Sequence, residues 1–217
     1  EDGVNLNGAF PGDRNGSLGR RLAFALEDAL YSSADFLADL HSGDCNESLH
    51  PLVFFPTAGE KDVNAAALEA AKVLSVDYRV RSTARNGLYS WAVQRGVPAL
   101  LIERGGQGRW SQPEVDACKA DVYALMGHLG ILPGGEKNRV QQEIVEANYV
   151  ESDADGFWYP LVAKNQDICM GEVLGRLESL TGELLQEVRA KFDGVVLYHT
   201  VALGVHMGEA LIAYGHT

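Results

Sequence analysis

The chain has 217 residues, 46% of them hydrophobic and 22% charged, enough for one sizeable core or a core plus a small appendage. Its formal net charge of −12 comes with no compensating basic run, which argues against nonspecific binding to DNA, RNA or an anionic membrane. Cys45, Cys118 and Cys169 are widely spaced and odd in number, so they read as reduced thiols of a cytoplasmic protein; no apolar stretch reaches the length of a membrane span.

Residues 1–17 are rich in Asn, Gly and Asp around Phe10-Pro11-Gly12 and read as an irregular loop. The chain opens without a methionine, as a piece of a longer polypeptide would. Ser17 is a candidate cap for a helix from Leu18 to about Ser32, with apolar residues at Leu22, Ala25, Leu26, Ala29 and Leu30. Ala34 to Leu40 predicts a short buried strand that ends at the Asp39-Leu40-His41 triplet. Residues 42–60 read as a loop, with the apolar run Pro51 to Pro56 packed inside it. An alanine-rich helix is expected over Asp62–Leu74, a strand over Tyr78–Ser82, a short helix over Gly87–Arg95 and a buried strand over Ala99–Glu103. Pro113 opens a further helix, capped by Ser111 or Gln112, that runs to about Leu129. Helices alternating with short apolar strands define an α/β unit over residues 1–133, with a mostly parallel or mixed sheet flanked by helices.

The composition then changes. Gly134-Gly135-Glu136-Lys137-Asn138 reads as a linker, and residues 134–217 as a β-rich appendage. Strands are expected over Tyr149–Ser152, Gly156–Pro160, Val173–Leu180, Gly194–Thr200 and Ala210–Tyr214. This part carries a weak internal repeat. Ile168-Cys169-Met170-Gly171-Glu172-Val173-Leu174 matches Val205-His206-Met207-Gly208-Glu209-Ala210-Leu211. Two such copies predict a small β-sandwich of two similar halves, each glycine serving a tight turn before a strand.

Two places carry chemistry. Asp39 and His41 stand two apart, so on a strand they share a face. A ligating histidine usually passes its second ring N–H to a carboxylate or carbonyl, so His41 is a candidate metal ligand with Asp39 as its orienter. The plainer alternative is a core histidine at a strand end, with Asp39 serving a backbone N–H or an arginine. Glu103 ends the apolar strand Ala99–Ile102 and enters Gly105-Gly106. Desolvation there would raise a carboxylate toward the range a general base needs; the alternative is a surface glutamate paired with Arg104 or Arg109. A metal ligand at one strand end and a free carboxylate at another are parts of metal-assisted hydrolysis. Other features carry less. Gly105-Gly106-Gln107-Gly108 lacks the lysine and spacing of a phosphate-binding loop, and fits a close backbone approach instead. His206-Met207-Gly208-Glu209 fits a His-x-x-Glu pattern formally, but its repeat copy has Cys169 at the histidine position, so a turn explains both. Trp91, Trp110 and Trp158 are scattered and suit packing better than base stacking.

Taken in order, Asn5-Leu6-Asn7-Gly8-Ala9-Phe10-Pro11-Gly12, Asp39-Leu40-His41-Ser42-Gly43 and Pro98-Ala99-Leu100-Leu101-Ile102-Glu103-Arg104-Gly105-Gly106 resemble the succinylglutamate desuccinylase/aspartoacylase family, zinc-dependent deacylases of the zinc-carboxypeptidase superfamily. The resemblance implies a zinc-carboxypeptidase-like α/β domain, here without its N-terminal part, followed by a β-rich module of biotinyl/lipoyl-like build. It implies zinc as cofactor, His41 as one ligand and Glu103 as general base. The family's His-x-x-Glu ligand pair is expected upstream of residue 1. Asn7 keeps the first position of the family's Asn-Arg substrate motif, but Gly8 replaces the arginine that clamps a substrate carboxylate. Arg14, Arg20, Arg21 and Arg85 are candidates to hold that anion, Arg14 first among them, although any one of them reads more readily as a solvated surface charge.

The resulting expectation is a zinc amidohydrolase acting on a small N-acylated amino acid, with no nucleic-acid or membrane partner. A homo-oligomer, or association with the missing N-terminal segment, remains open. The rival reading is a catalytically incomplete fragment or a ligand-binding family member without activity. A carrier role for the C-terminal module is disfavoured, because the turn Leu180-Thr181-Gly182-Glu183 has no lysine to carry a group.

Overall fold

The computed structural model describes residues 2–133 and 140–216, so the linker expected at 134–138 lies outside them. The N-terminal part is an α/β layer arrangement. Its helices are α1 (Leu18–Leu30), α2 (Lys61–Ala71), α3 (Leu88–Gln94) and α4 (Gln112–His128). They flank a five-stranded sheet of β1 (Leu37–His41), β3 (Leu52–Pro56), β4 (Tyr78–Ser82), β5 (Ala99–Glu103) and β6 (Gln142–Ile144), in the order β1-β5-β3-β4-β6. β1 runs parallel to β5, and β4 parallel to β3 and β6, while β3 and β5 are antiparallel, so the sheet is mixed. Among the described residues no helix is long and apolar enough to cross a membrane.

Each face of this sheet is covered. Leu37, Ala99 and Leu101 pack with Ala23, Tyr89, Ala92 and Val93 on the α1/α3 side. Val53, Phe55, Leu100 and Ile102 pack with Ala67, Ala70, Ala71 and Leu125 on the α2/α4 side. β5 is buried on both faces, which explains its unbroken apolar run. Of the four helix starts, only that of α4 carries the expected side-chain cap. The Ser111 hydroxyl accepts a hydrogen bond from Glu114 N at 3.4 Å, with Pro113 in the first turn of α4. Ser17 occupies the N-cap of α1 without capping it through its side chain; Asp2 Oδ2 instead accepts from Gly19 N at 2.7 Å.

Two corrections concern this part. Pro51 to Pro56, expected as an apolar patch within a loop, forms β3, which lies between β5 and β4 at the centre of the sheet. The short strand β2 (Glu47–Leu49) also falls in that supposed loop. The apolar stripe expected on α1 is largely unburied. Leu22, Ala25, Ala29 and Leu30 are exposed and Leu26 is half-buried, while the residue of α1 that is buried, Ala23, lies outside the expected stripe.

The C-terminal part is all β. β11 (Leu184–Arg189), β10 (Val173–Glu178), β8 (Gly156–Pro160) and β13 (Gly204–Val205) form one antiparallel sheet in that order. β2, β12 (Gly194–Thr200), β14 (Ala210–His216) and β7 (Glu146–Glu151) form another, with β9 (Asp167–Ile168) paired to β12. Trp158, Leu174, Leu177, Leu211, Ile212 and Tyr214 fill the space between them. The repeat is visible in the turns. Gly171 (φ 86°) and Gly208 (φ 84°) take the left-handed conformation. Glu172 Oε2 accepts from Cys169 N at 3.0 Å, and Glu209 Oε2 from His206 N at 2.9 Å. Met170 N and Met207 N donate to Asp193 and Asp155, at 2.7 and 2.9 Å. Those aspartates immediately precede β12 and β8, so the two turns are equivalent.

The two parts interlock. β2 comes from the N-terminal part yet pairs with β12, and β6 comes from the C-terminal part yet pairs with β4. Leu52, Tyr78, Val80 and Ile144 pack against Val195, Leu197 and Ala213 across the junction. Glu143 of β6 takes a 3.1 Å contact from Arg79 and a 2.6 Å contact from Arg81, both on β4.

Two outcomes follow. Gly175 leaves room for the buried Trp158 indole, and a Cβ there would run into its ring; Gly175→Ala should destabilise by about 1–3 kcal/mol through overpacking, read by urea unfolding. Burial alone would raise the Glu143 carboxyl, but the hydrogen bonds from Arg81 and Arg79 outweigh it and hold it below its usual value. A depressed folded-state value stabilises above the ordinary glutamate range, and that stability is lost as pH falls below about 4.3 toward and through the folded value. Glu143→Gln should therefore flatten the dependence of unfolding free energy on pH in that acid window, while wild-type stability declines.

Candidate active site

The parallel register of β1 and β5 sets His41 directly beside Glu103. Strand alternation sends Leu37, Asp39 and His41 to one face of β1, and Leu101 and Glu103 to the matching face of β5. Leu37 and Leu101 belong to the core beneath α1 and α3, so the polar ends of both strands emerge at the rim of that core. His41 Nε2 lies 3.1 Å from Asp39 Oδ1, and His41 Nδ1 lies 3.7 Å from Glu103 Oε1. The first contact assigns the imidazole proton to Nε2 and leaves the Nδ1 lone pair toward Glu103. The second is too long for a hydrogen bond, so the two groups face each other without being joined.

The electrostatics follow from burial and crowding. Burial pushes the Glu103 carboxyl up to about 7; His41 opposes this, while the negative charges of Glu47, Asp39 and Asp44 add to it. The hydrogen bond to Asp39 raises the His41 imidazole against the opposing effect of burial, with further help from the charges of Asp39, Glu103 and Asp44. Glu103 Oε2, Asp39 Oδ2 and Asn7 Oδ1 are buried with no hydrogen-bond partner among the described residues. Three unpartnered acceptors in one site are unusual, because buried polar atoms are nearly always satisfied.

The loops beyond the strand ends lie against each other. Arg104 N donates to His41 O at 3.1 Å, and Gln107 N donates to Asp44 O at 2.9 Å and to Glu47 O at 3.1 Å. A Cβ on Gly106 would lie 2.5 Å from Glu47 O, so only glycine permits this approach.

Glu103 opens into a cleft of about 580 Å³ lined among others by Asn7, Ser82, Tyr89, Tyr149 and Tyr198. Asn7 sits on a 3-10 turn (Leu6–Gly8) whose start is capped by Asn5, and its amide packs on Gly87, where a Cβ would be 2.5 Å from Oδ1. Tyr89 OH and Ser82 Oγ are hydrogen-bonded at 2.7 Å. Tyr149 and Tyr198 have ring centroids 6.4 Å apart. Burial pushes Tyr89 up to about 12 and Tyr198 well above its usual value, whereas Tyr149 is 53% exposed; all three phenols stay protonated donors at neutral pH.

The structure thus brings together Asp39, His41 and Glu103, and places Asn7 in the same cleft as Glu103. Arg14 is not with them; it lines a separate hollow with Leu18, Arg21 and Leu22. Arg85 is exposed in the segment after β4, next to the cleft residues Thr83 and Ala84. Arg81 lines the cleft but is engaged by Glu143. The side chain of His206 is 82% exposed and lies 3.5 Å from Asp155, and Glu209 closes the turn, so that His-x-x-Glu segment has a turn role here. Sequence reasoning missed Ser82, Tyr89, Tyr149 and Tyr198. Among the described residues no group of three or more His, Cys, Asp or Glu side chains has the geometry to hold a metal ion.

Fold and site together define an α/β scaffold with a histidine–carboxylate pair at adjacent strand ends. The catalytic-domain profile of the succinylglutamate desuccinylase/aspartoacylase family matches residues 2–129, and the chain belongs to that family. It is 27% identical, over 97% of its own length and 64% of the relative's, to N-alpha-acetyl-L-2,4-diaminobutyric acid deacetylase of Halomonas elongata. The chain therefore spans just under two thirds of that curated relative. The product-bound structure of the ectoine utilization protein EutE (DoeB) from Ruegeria pomeroyi superposes with a TM-score of 0.86 at 26% identity, covering 99% of this chain and 68% of that one. A succinylglutamate desuccinylase/aspartoacylase from Rhodobacter sphaeroides shares the fold with a TM-score of 0.84 at 23% identity, over 99% and 68% of the two chains.

Proposed function

We propose that the full-length protein is a zinc-dependent deacylase that hydrolyses the amide bond of a small N-acylated amino acid. The observation that carries this reading is the His41–Glu103 register, with its unpartnered carboxylate oxygens and the value near 7 for Glu103. The diaminobutyric acid relative supports the substrate class.

Zinc takes imidazole nitrogen and carboxylate oxygen among its ligands. His41 fits as one ligand through Nδ1, with Asp39 fixing its tautomer and ring orientation. The remaining ligands are assigned to a further segment, of the same polypeptide or of a partner. β1 is the edge of its sheet, and the exposed Leu40 and the exposed apolar residues of α1 support an addition there. A bound zinc ion supplies polarisation of the amide carbonyl and lowers the pKa of a coordinated water. Glu103 takes a proton from the attacking water and delivers it to the departing amine. Burial raises this carboxyl from the ordinary glutamate value toward the range in which one group can both accept and return a proton. Asn7 orients the substrate from across the cleft, and the protonated phenols of Tyr89, Tyr149 and Tyr198 offer donors to its carbonyl or carboxylate oxygens. Gly8 and the position of Arg14 weigh against a dicarboxylic acyl group held from that loop. We read residues 134–217 as a biotinyl/lipoyl-like module with a cleft-lining or gating role, since Tyr149 and Tyr198 come from it.

The second reading is a chain that is silent until completed, and the lack of a three-ligand group among the described residues favours it. Zinc content separates the two: full occupancy of the isolated chain requires ligands beyond His41.

Glu103→Gln in the full-length enzyme should lower kcat by about 10²–10⁴-fold while zinc stays bound, measured by amine release and metal analysis. Near-normal turnover would remove Glu103 from the mechanism. His41→Ala should reduce the zinc stoichiometry of that enzyme well below one, read by atomic absorption; retained metal would exclude His41 as a ligand.

A further inference from the structure

We infer that Arg104 is the positioning residue for Glu103: its buried ion pair with Asp121 fixes where β5 ends, and so holds the Glu103 carboxyl level with His41. The inference rests on the reading of Glu103 as the proton carrier. Consecutive strand residues point to opposite faces, so Glu103 turns to the cleft while Arg104 turns to the α4 side. Arg104 Nε lies 2.7 Å from Asp121 Oδ2. Arg104 Nη2 donates to Ser75 O at 3.1 Å and to Ser75 Oγ at 3.0 Å. Asp121 Oδ1 in turn accepts from Ser75 N at 2.7 Å and from Ser75 Oγ at 2.8 Å. Glu114 stands 3.9 Å from Arg104 Nη1 at the edge of this network. Asp121 is fully buried and Arg104 is 9% exposed.

The main chain of the same residue makes the other link. Arg104 N donates to His41 O, closing the β1–β5 ladder at the level of the two functional groups. Beyond it the chain enters a loop of left-handed residues: Gly105 at φ 80°, Gln107 at φ 58° and Gly108 at φ 59°. Arg104 is therefore the last residue of the β1–β5 ladder on that side of Glu103, and beyond it, among the described residues, only main-chain bonds tie the loop down, from Gly43 N to Gly105 O and from Gln107 N to Asp44 O and Glu47 O. Asp121 and Leu125 are the buried residues of α4, so only a replacement that keeps the volume at Asp121 filled leaves the helix docked. Apolar residues of similar volume are generally as stabilising as a buried ion pair, and Leu125 already packs on Leu100 and Ile102. What the pair adds is direction. A guanidinium fork held by three acceptors on two residues fixes the end of the strand in a way a lysine or an apolar side chain does not.

The test uses the longest polypeptide that turns over an N-acylated amino acid, with Arg104→Lys and the paired replacement Arg104→Met/Asp121→Leu. Arg104→Lys should lower kcat by about 10–100-fold, with KM and zinc content within about twofold of the parent, well below its melting temperature. The Met/Leu variant should melt near the parent temperature yet keep the low kcat. Parent-like kcat in the Met/Leu variant would reduce the pair to a stabilising contact and overturn the inference. Glu103→Gln run alongside isolates the underlying reading: undiminished turnover in that variant sinks the proton-carrier role, not the anchor. Amide hydrogen exchange then decides the anchor without activity. Exchange of the Arg104 N–H should accelerate at least about tenfold in the Met/Leu variant relative to β3–β4 amides. Unchanged exchange would overturn the inference.

Discussion

Parallel pairing between β1 and β5 is the constraint on which the site depends. Side chains on neighbouring parallel strands stand level only in one register, and a slip by a single residue would send one of them to the opposite face. Here the register sets His41 beside Glu103 and keeps Asp39 one pleat back on the same face. The apolar residues enforce it. Leu37 and Leu101 have to meet the α1/α3 core, while Leu100 and Ile102 have to meet the α2/α4 core. The chemistry at the strand ends is thus held in place by hydrophobic burial further down the same strands.

The second dependence is on the interlocking of the two parts. Exchange of β2 and β6 between them makes the junction a shared core, rather than a hinge between independent bodies. One consequence is that the cleft has walls from both. Glu103, Asn7 and Tyr89 come from before residue 134, while Tyr149 and Tyr198 come from β7 and β12. Glu103 and Tyr198 are desolvated in this cleft, while Tyr149 is 53% exposed. The raised Glu103 carboxyl is the electrostatic consequence of that desolvation.

Much of this was legible from the residues. The four helices, β1, β4, β5 and the longer C-terminal strands stand near their expected positions, because each carries periodic apolar residues and turn or capping signals at its ends. β3 was not recognised, since Leu52-Val53-Phe54-Phe55 is too short and too uniformly apolar to show alternation, and Pro at each end resembles loop punctuation. β2, β6, β9 and β13 are two or three residues long and owe their form to their partners. β11, with an exposed and irregular pattern, follows from its hairpin with β10. At the site, Asp39, His41 and Glu103 were visible because their spacing and flanking residues are local. Tyr149 and Tyr198 were not, because nothing local in a strand sequence reports which distant cleft its face will line. The unburied stripe of α1 shows the reverse case, an amphipathic pattern whose apolar side has no cover among the described residues.

The paired turns at 169–172 and 206–209 give the molecule an internal replicate. Both glycines hold nearly the same torsion, and a Cβ at either would touch nothing within 4 Å. Both methionines at the tips are about equally exposed, at 71% and 70%. Torsional preference is therefore separated from crowding at two sites of one chain, under one solvent and one history. A matched alanine at each would measure the left-handed backbone twice, and any disagreement between the two copies would report how the two surroundings differ.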